Sequence, residues 1–381
     1  MQLSPSIRYT DFEHGDDYRN EYFARRDLTG PSTALDRRLL ATRIDDDYTE
    51  YYVGEYTNLG LAFLTDLSWE NGVSLLIGAR HDRIDMESST PVEKVLFPDP
   101  DDALEADDDV SGNSWTVSLS YDIANSGIIP YVTMSEQSTV IAGQGAELQV
   151  GNVAGGTAFD SSELTEFGVK GELLEDERLY FSLSHYEQER TDFSAQSIVT
   201  NQSVKTEGTE FEVRWAVNDS LFVGATYTNV EALNLNSIEN GGRFSFVGAE
   251  DLPLVAPELL FGGQLGAVVN NAASGGRRSG MPENIYSLYG TYLFDNGLTI
   301  SASMSDVEDV FSGYTNSVKL PAYTLYNMTL GWESEQWKFS LTGKNLTDER
   351  YFRANFPNLF GSTIVLPELP RHFVAKAQYS F

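Results

Sequence analysis

Residues 286–305 read YSLYGTYLFDNGLTISASMS, and their period decides the fold. Tyr286, Leu288, Gly290, Tyr292 and Phe294 take every second position, and Leu298, Ile300, Ala302 and Met304 do the same further on. Only Thr and Ser fill the gaps of the second run. Period two sends alternate side chains to opposite faces of a strand, so each run is apolar on one face. Asp295-Asn296-Gly297 between them is a tight hairpin signal.

The same design recurs along the chain. Phe211, Val213 and Trp215 alternate with Glu210, Glu212 and Arg214, turn at Val217-Asn218-Asp219-Ser220, and continue as Leu221, Val223, Ala225 and Tyr227. Further turns fall at Glu70-Asn71-Gly72, Asn125-Ser126-Gly127, residues 174–178 and Ser334-Glu335-Gln336. The pattern predicts fourteen strands, at 3–12, 48–69, 73–86, 113–121, 128–137, 163–173, 179–193, 206–216, 221–233, 283–294, 298–308, 321–333, 337–346 and 371–381. Six tight turns alternate strictly with seven longer connections, at 13–47, 87–112, 138–162, 194–205, 234–282, 309–320 and 347–370. A soluble sandwich has no reason to put every long loop at one end. A transmembrane barrel does, with short periplasmic turns and long extracellular loops.

The tryptophans agree with that reading. Trp69, Trp215, Trp332 and Trp337 each lie within a few residues of a short turn, and so predict a periplasmic aromatic girdle. Trp115 alone sits towards the long-loop end. In such a barrel the apolar face meets lipid, which leaves Lys170, Glu172, Glu210, Glu212, Arg214, Lys338, Lys344, His372 and Lys376 for a wet lumen. There they read as solvated or mutually paired charges.

Composition narrows the function. No run of about 18 apolar residues exists, so no helical span is expected. Cysteine is absent, which removes disulfide, thiolate and Cys-zinc chemistry. A net charge of −32 argues against nucleic acid as a partner. MQLSPSIRYTDFEHGDD (1–17) lacks a basic region followed by an apolar core, so no signal peptide is expected in this chain. The four histidines are scattered, GGRRSG (275–280) lacks the P-loop lysine, and no G-x-S-x-G elbow occurs, so neither an enzyme nor a bound cofactor is expected. Nine acidic residues crowd 87–112, which reads as a solvated loop, with cation bridging to lipopolysaccharide phosphates as a further idea.

The last hundred residues carry a resemblance. MPENIYSLYGTYLFDNGLTIS (281–301), LPAYTLYNMTLGW (320–332), WKFSLTGKNLTDERYF (337–352) and LPRHFVAKAQYSF (369–381) follow in order. This succession resembles the C-terminal barrel of TonB-dependent outer-membrane receptors, and Lys344-Asn345-Leu346-Thr347-Asp348 is its most specific piece. The resemblance implies an all-β, antiparallel barrel in the bacterial outer membrane, with these fourteen strands the last of a 22-stranded wall. It implies energy-dependent uptake of a scarce nutrient, most often a ferric siderophore, driven by the TonB complex through a plug domain. That plug is not read in residues 1–381, so the chain by itself is expected not to transport. The alternative is a free-standing fourteen-stranded passive channel, which requires the first and last strands to pair.

Two residue sets complete the expectations. Phe373, Tyr379 and Phe381 make an aromatic C-terminal strand that resembles the signal read by the barrel-assembly machinery. Arg243, Phe244, Phe246, Arg277, Arg353 and Phe356 lie in the long loops, where they suit a large, partly aromatic, anionic iron chelate. Phe97, Phe159, Phe311, Tyr314, Phe360 and Arg371 share that character, and the plain reading of all of them is loop packing.

Overall fold

A computed structural model describes residues 2–15, 19–24, 44–50, 53–90, 104–141, 148–193, 201–235, 243–244, 260–261, 264–265, 268–269, 275–278, 280–312, 318–354 and 365–380. Fourteen strands form one antiparallel sheet in chain order, each paired with its neighbour in sequence. They are β1 (Gln2–Gly15), β2 (Val53–Ser68), β3 (Val73–Ser89), β4 (Glu105–Tyr121), β5 (Ile128–Val140), β6 (Phe159–Leu173) and β7 (Leu179–Phe193). β8 (Asn201–Ala216), β9 (Leu221–Asn234), β10 (Asn284–Leu293), β11 (Leu298–Val307), β12 (Tyr323–Glu333), β13 (Trp337–Lys344) and β14 (His372–Tyr379) follow. Among the described residues β1 pairs only with β2 and β14 only with β13, so the sheet is not closed. The closure that the passive-channel alternative requires is therefore not seen. Five two-stranded pairs extend the long connections, among them Arg19–Ala24 with Ile44–Glu50 and Val310–Ser312 with Val318–Leu320.

The short-turn rim shows why glycine recurs there. Gly72, Gly127 and Gly297 have φ of 90°, 68° and 82°, a region that disfavours a Cβ. A Cβ on them would lie 2.3, 2.0 and 2.3 Å from the carbonyl oxygens of Asp122, Glu172 and Glu333. Those same three residues donate their N–H groups to the glycine carbonyls at 2.8, 2.9 and 3.0 Å. Each of these turns thus leans on the end of a later strand, and glycine is required both for its dihedral and for the approach. Gly127→Ala is expected to cost about 2–3 kcal/mol, from left-handed strain and a weakened hydrogen bond. The midpoint of thermal unfolding in detergent measures it, and an unaltered midpoint contradicts the account.

The two faces separate cleanly. Leu221, Tyr292, Ile300, Leu330, Leu341 and Ala375 stand in one cross-strand row across β9 to β14. Exposures of 41% for Tyr292, 39% for Leu330 and 45% for Leu341 mark an apolar face over which no described element packs. Apolar surface on this scale suits a lipid solvent. The opposite face carries Thr291 on Ser301 at 2.9 Å and Thr329 on Thr342 at 3.0 Å, a ladder of hydroxyls. The expected lumen charges lie on this second face, with Arg214 paired to Glu212 at 2.7 Å and Lys338 to Glu333 at 2.5 Å. Their plain reading as paired charges fits.

Aromatic rings fill gaps on the inner face. Tyr131 stands opposite Gly168, Tyr186 opposite Gly208, and Tyr289 opposite Gly224. A Cβ on those glycines would come within 2.9, 2.6 and 2.4 Å of the facing ring. Each tyrosine therefore lies flat across the neighbouring strand, and Tyr131 donates from there to Glu166 at 2.7 Å.

At the long-loop end the structure corrects one expectation. The segment 87–112 is not wholly loop, because β3 runs to Ser89 and β4 begins at Glu105. Asp107, Asp108 and Asp109 are strand residues, held by pairing with Glu87, Met86 and Asp85. Glu13, Glu55, Glu87 and Asp107 form one row across four strands. Opposed carboxylates repel, and among the described residues Arg83 relieves Asp109 at 2.6 Å.

On the inner face, opposite that row, lies a buried cluster. Residues 148–158, with one helical turn at Val150–Ala154, fold back against β3 and β4. Leu148, Val153 and Ala158 pack with Ile84 and Met86, all at most 2% exposed. The Leu148 amide donates to His14 Nε2 at 2.9 Å, and Ser88 Oγ donates to the Leu148 carbonyl at 2.5 Å. Gly54 leaves room for the imidazole, since a Cβ there would lie 2.6 Å from Nε2. The segment thus joins β1 to β3 and β4 across the inner wall.

Candidate functional site at the long-loop mouth

Three connections converge beyond β9 to β14. Residues 275–278 extend the β9 ladder: Gly275 donates to the Asn234 carbonyl at 2.7 Å and Arg278 to that of Ala232 at 2.7 Å. This sets Arg277 opposite Leu233. The Gly280 amide then donates to the Phe311 carbonyl at 2.8 Å, tying the first connection to the second.

Phe311 is the centre of the arrangement. The Arg277 guanidinium lies 5.3 Å from its ring centroid and Lys319 Nζ lies 5.7 Å from it. Both distances are within cation–π reach. Each cation also has a carboxylate partner, Glu283 at 3.0 Å for Arg277 and Asp309 for Lys319. Val310 and Leu320, 8% and 5% exposed, pack the same short strand pair into the wall.

The third connection stands next to it, with Phe352–Ala354 beside Val310–Ser312 and Val318–Leu320. Tyr351 lies on Tyr323 with ring centroids 4.6 Å apart, and Arg353 pairs with Glu368. That bond holds the Arg353 guanidinium above its usual pKa. Burial pushes the Tyr351 phenol up, the Glu368 charge adds to this, and Arg353 opposes it. Among the described residues, Phe311, Tyr323 and Tyr351 therefore lie among Arg277, Lys319 and Arg353, and each of these three cations is matched by a carboxylate. These residues offer flat, polarised contact surfaces.

The predicted residues fare unequally. Arg277 and Phe311 meet, and Arg353 lies in the adjoining strand pair. Arg243 and Phe244 form two rungs with Val269 and Val268, and their side chains lie outside the described residues. Phe246, Phe356, Phe97, Tyr314 and Phe360 also lie outside them. Phe159 belongs to the buried cluster, and Arg371 serves the turn after β13, donating from its amide to Asp348 at 2.9 Å. Sequence reasoning missed Lys319, Tyr323 and Tyr351, whose neighbours come from distant connections. Trp69, Trp215, Trp332 and Trp337 lie near the short turns, at 49%, 38%, 41% and 41% exposure. Phe373 and Tyr379 are exposed on β14, while Phe381 lies outside the described residues.

The siderophore receptor PiuA from Acinetobacter baumannii is similar at a TM-score of 0.68 and 14% identity, over 99% of this chain and 53% of that one. The ferric-catecholate import receptor Fiu from Escherichia coli K12 gives 0.67 and 16%, over 99% of this chain and 52% of that one. The copper transporter OprC gives 0.62 and 14%, over 100% of this chain and 54% of that one. These likenesses show the fold, and the chain spans about half the length of these structures. A comparison with curated protein sequences finds no match. The family model for the TonB-dependent receptor-like β-barrel matches residues 2–346. By that match the chain belongs to the TonB-dependent receptor β-barrel family, whose members are outer-membrane transport receptors and not enzymes.

Proposed function

We propose that the chain is the wall of a receptor that takes up a ferric siderophore in an energy-dependent way. The observation that carries this reading is Phe311 with Arg277 and Lys319 at 5.3 and 5.7 Å from its ring. A ferric siderophore is a large anionic chelate with planar groups, which stacks on rings and draws on nearby cations. PiuA, a siderophore receptor, and Fiu, a ferric-catecholate import receptor, both support this class. Transport is assigned to the receptor working with a TonB-coupled plug.

The same reading orients the wall. Short turns face the periplasm and the Phe311 mouth faces outward, with Trp69, Trp215, Trp332 and Trp337 as the periplasmic girdle. Phe373, Tyr379 and Phe381 present the strand that the assembly machinery reads, and the apolar face meets lipid and lipopolysaccharide. In the complete receptor, Phe311→Ala and Arg277→Ala are each expected to weaken binding of a ferric tris-catecholate about tenfold, a loss of about 1.4 kcal/mol. Iron-limited growth on that chelate measures the consequence. Wild-type binding by both variants refutes the mouth as the ligand site.

A further inference from the structure

Asn345 belongs to the most specific motif of the sequence, and its surroundings give it a task. It follows β13 with φ of 50° and is 3% exposed. Its Nδ2 donates to the Glu349 carbonyl at 2.9 Å and to the Leu369 carbonyl at 3.3 Å. Its Oδ1 accepts from the Glu349 amide at 2.8 Å. Glu349 opens the third connection of the mouth and Leu369 closes it, so one side chain holds both ends. The Asn345 amide is bound in turn by Asn327 Oδ1 at 3.0 Å, and the Leu346 amide by the Tyr326 carbonyl at 2.8 Å. The pin is thus fixed to β12, a strand of the wall.

Other bonds carry the restraint onward. Arg371 donates from its amide to Asp348 at 2.9 Å and from its side chain to the Leu346 carbonyl at 3.3 Å. The Glu368 amide donates to the Tyr351 carbonyl at 3.1 Å, and the Glu368 carboxylate holds Arg353. We infer that Asn345 is a positioning residue for ligand binding: it closes the base of the β13–β14 connection and so sets Tyr351 and Arg353 at the mouth. This rests on the mouth being where the chelate binds. Pre-set contact groups lose less freedom on binding than groups that must be ordered by the ligand.

Asn345→Gly tests it in the complete receptor. Glycine keeps the left-handed backbone without strain and removes the side chain with its carboxamide. The barrel is expected to melt within a few degrees of wild type, while affinity for ferric tris-catecholate falls about tenfold per folded molecule. Asn345→Asp keeps the acceptor for the Glu349 amide but turns an oxygen towards the two carbonyls, and is expected to fall similarly. It serves as the second variant if the glycine form does not fold. Wild-type affinity in a folded variant overturns the inference, as does a loss that merely tracks the unfolded fraction. If Phe311→Ala and Arg277→Ala also leave binding unchanged, the mouth assignment itself has failed. If those two weaken binding and the Asn345 variants do not, only the pinning role is lost.

Discussion

Leu148→Asp is expected to release residues 148–158 from the inner wall and to lower stability by about 3–5 kcal/mol. Leu148 is 0% exposed and packs with Ile84, Met86, Val153 and Ala158. Removing such a side chain costs about 2–5 kcal/mol, and leaving an unpaired carboxylate in its place adds to that. The chain relieves the charge by letting the segment leave its seat, which forfeits the bonds from the Leu148 amide to His14 and from Ser88 to its carbonyl. The sheet ladders do not depend on the segment, so the barrel persists while its inner lining opens. Limited proteolysis is the direct measurement: the variant is expected to be cut within 148–158 and the wild type to be protected. Leu148→Met conserves volume and is expected to cost under about 1.5 kcal/mol. Equal protection of wild type and Leu148→Asp contradicts the buried seat.

Gly208→Leu has an effect of comparable size for the opposite reason. A Cβ there would lie 2.6 Å from the Tyr186 ring and 2.9 Å from the Asn229 carbonyl oxygen. The larger side chain must push the tyrosine off the wall, and overpacking of this kind costs about 1–3 kcal/mol. The expected loss is about 2–3 kcal/mol, the upper part of that range, because the Asn229 carbonyl cannot swing aside as the ring can. A double-mutant cycle separates the causes: Gly208→Ala is expected to cost much less in a Tyr186→Ala background than in wild type. Strict additivity shows that the ring does not occupy the glycine's place.

These two sites also mark how far the sequence was legible. Strict alternation in Leu298, Ile300, Ala302 and Met304 reported the lipid face directly, because one solvent or the other touches each residue. The turn glycines were equally plain, since few residues adopt their dihedrals. Glu105 to Asp109 read as loop because carboxylates are poor strand formers, yet pairing with β3 overrides that preference. The seat of Leu148 left no mark, because a short apolar stretch has no period and its partners His14, Ile84 and Met86 are remote. At the mouth, Arg277 and Phe311 were legible as residue types, but not their meeting. Asn345 was visible as part of a motif, while its task needed Leu369 and Asn327, which only the fold brings near.

One property of the sheet bears on how such walls change in size. Every neighbour in the sheet is a neighbour in the chain. Loss or duplication of a single strand would therefore reverse all later strands and exchange the turns and loops between the two rims. Loss or duplication of a whole hairpin leaves every remaining strand pointing as before. A wall built in this way is modular in units of two, and its bore can be widened or narrowed by recombination without redrawing any surviving strand.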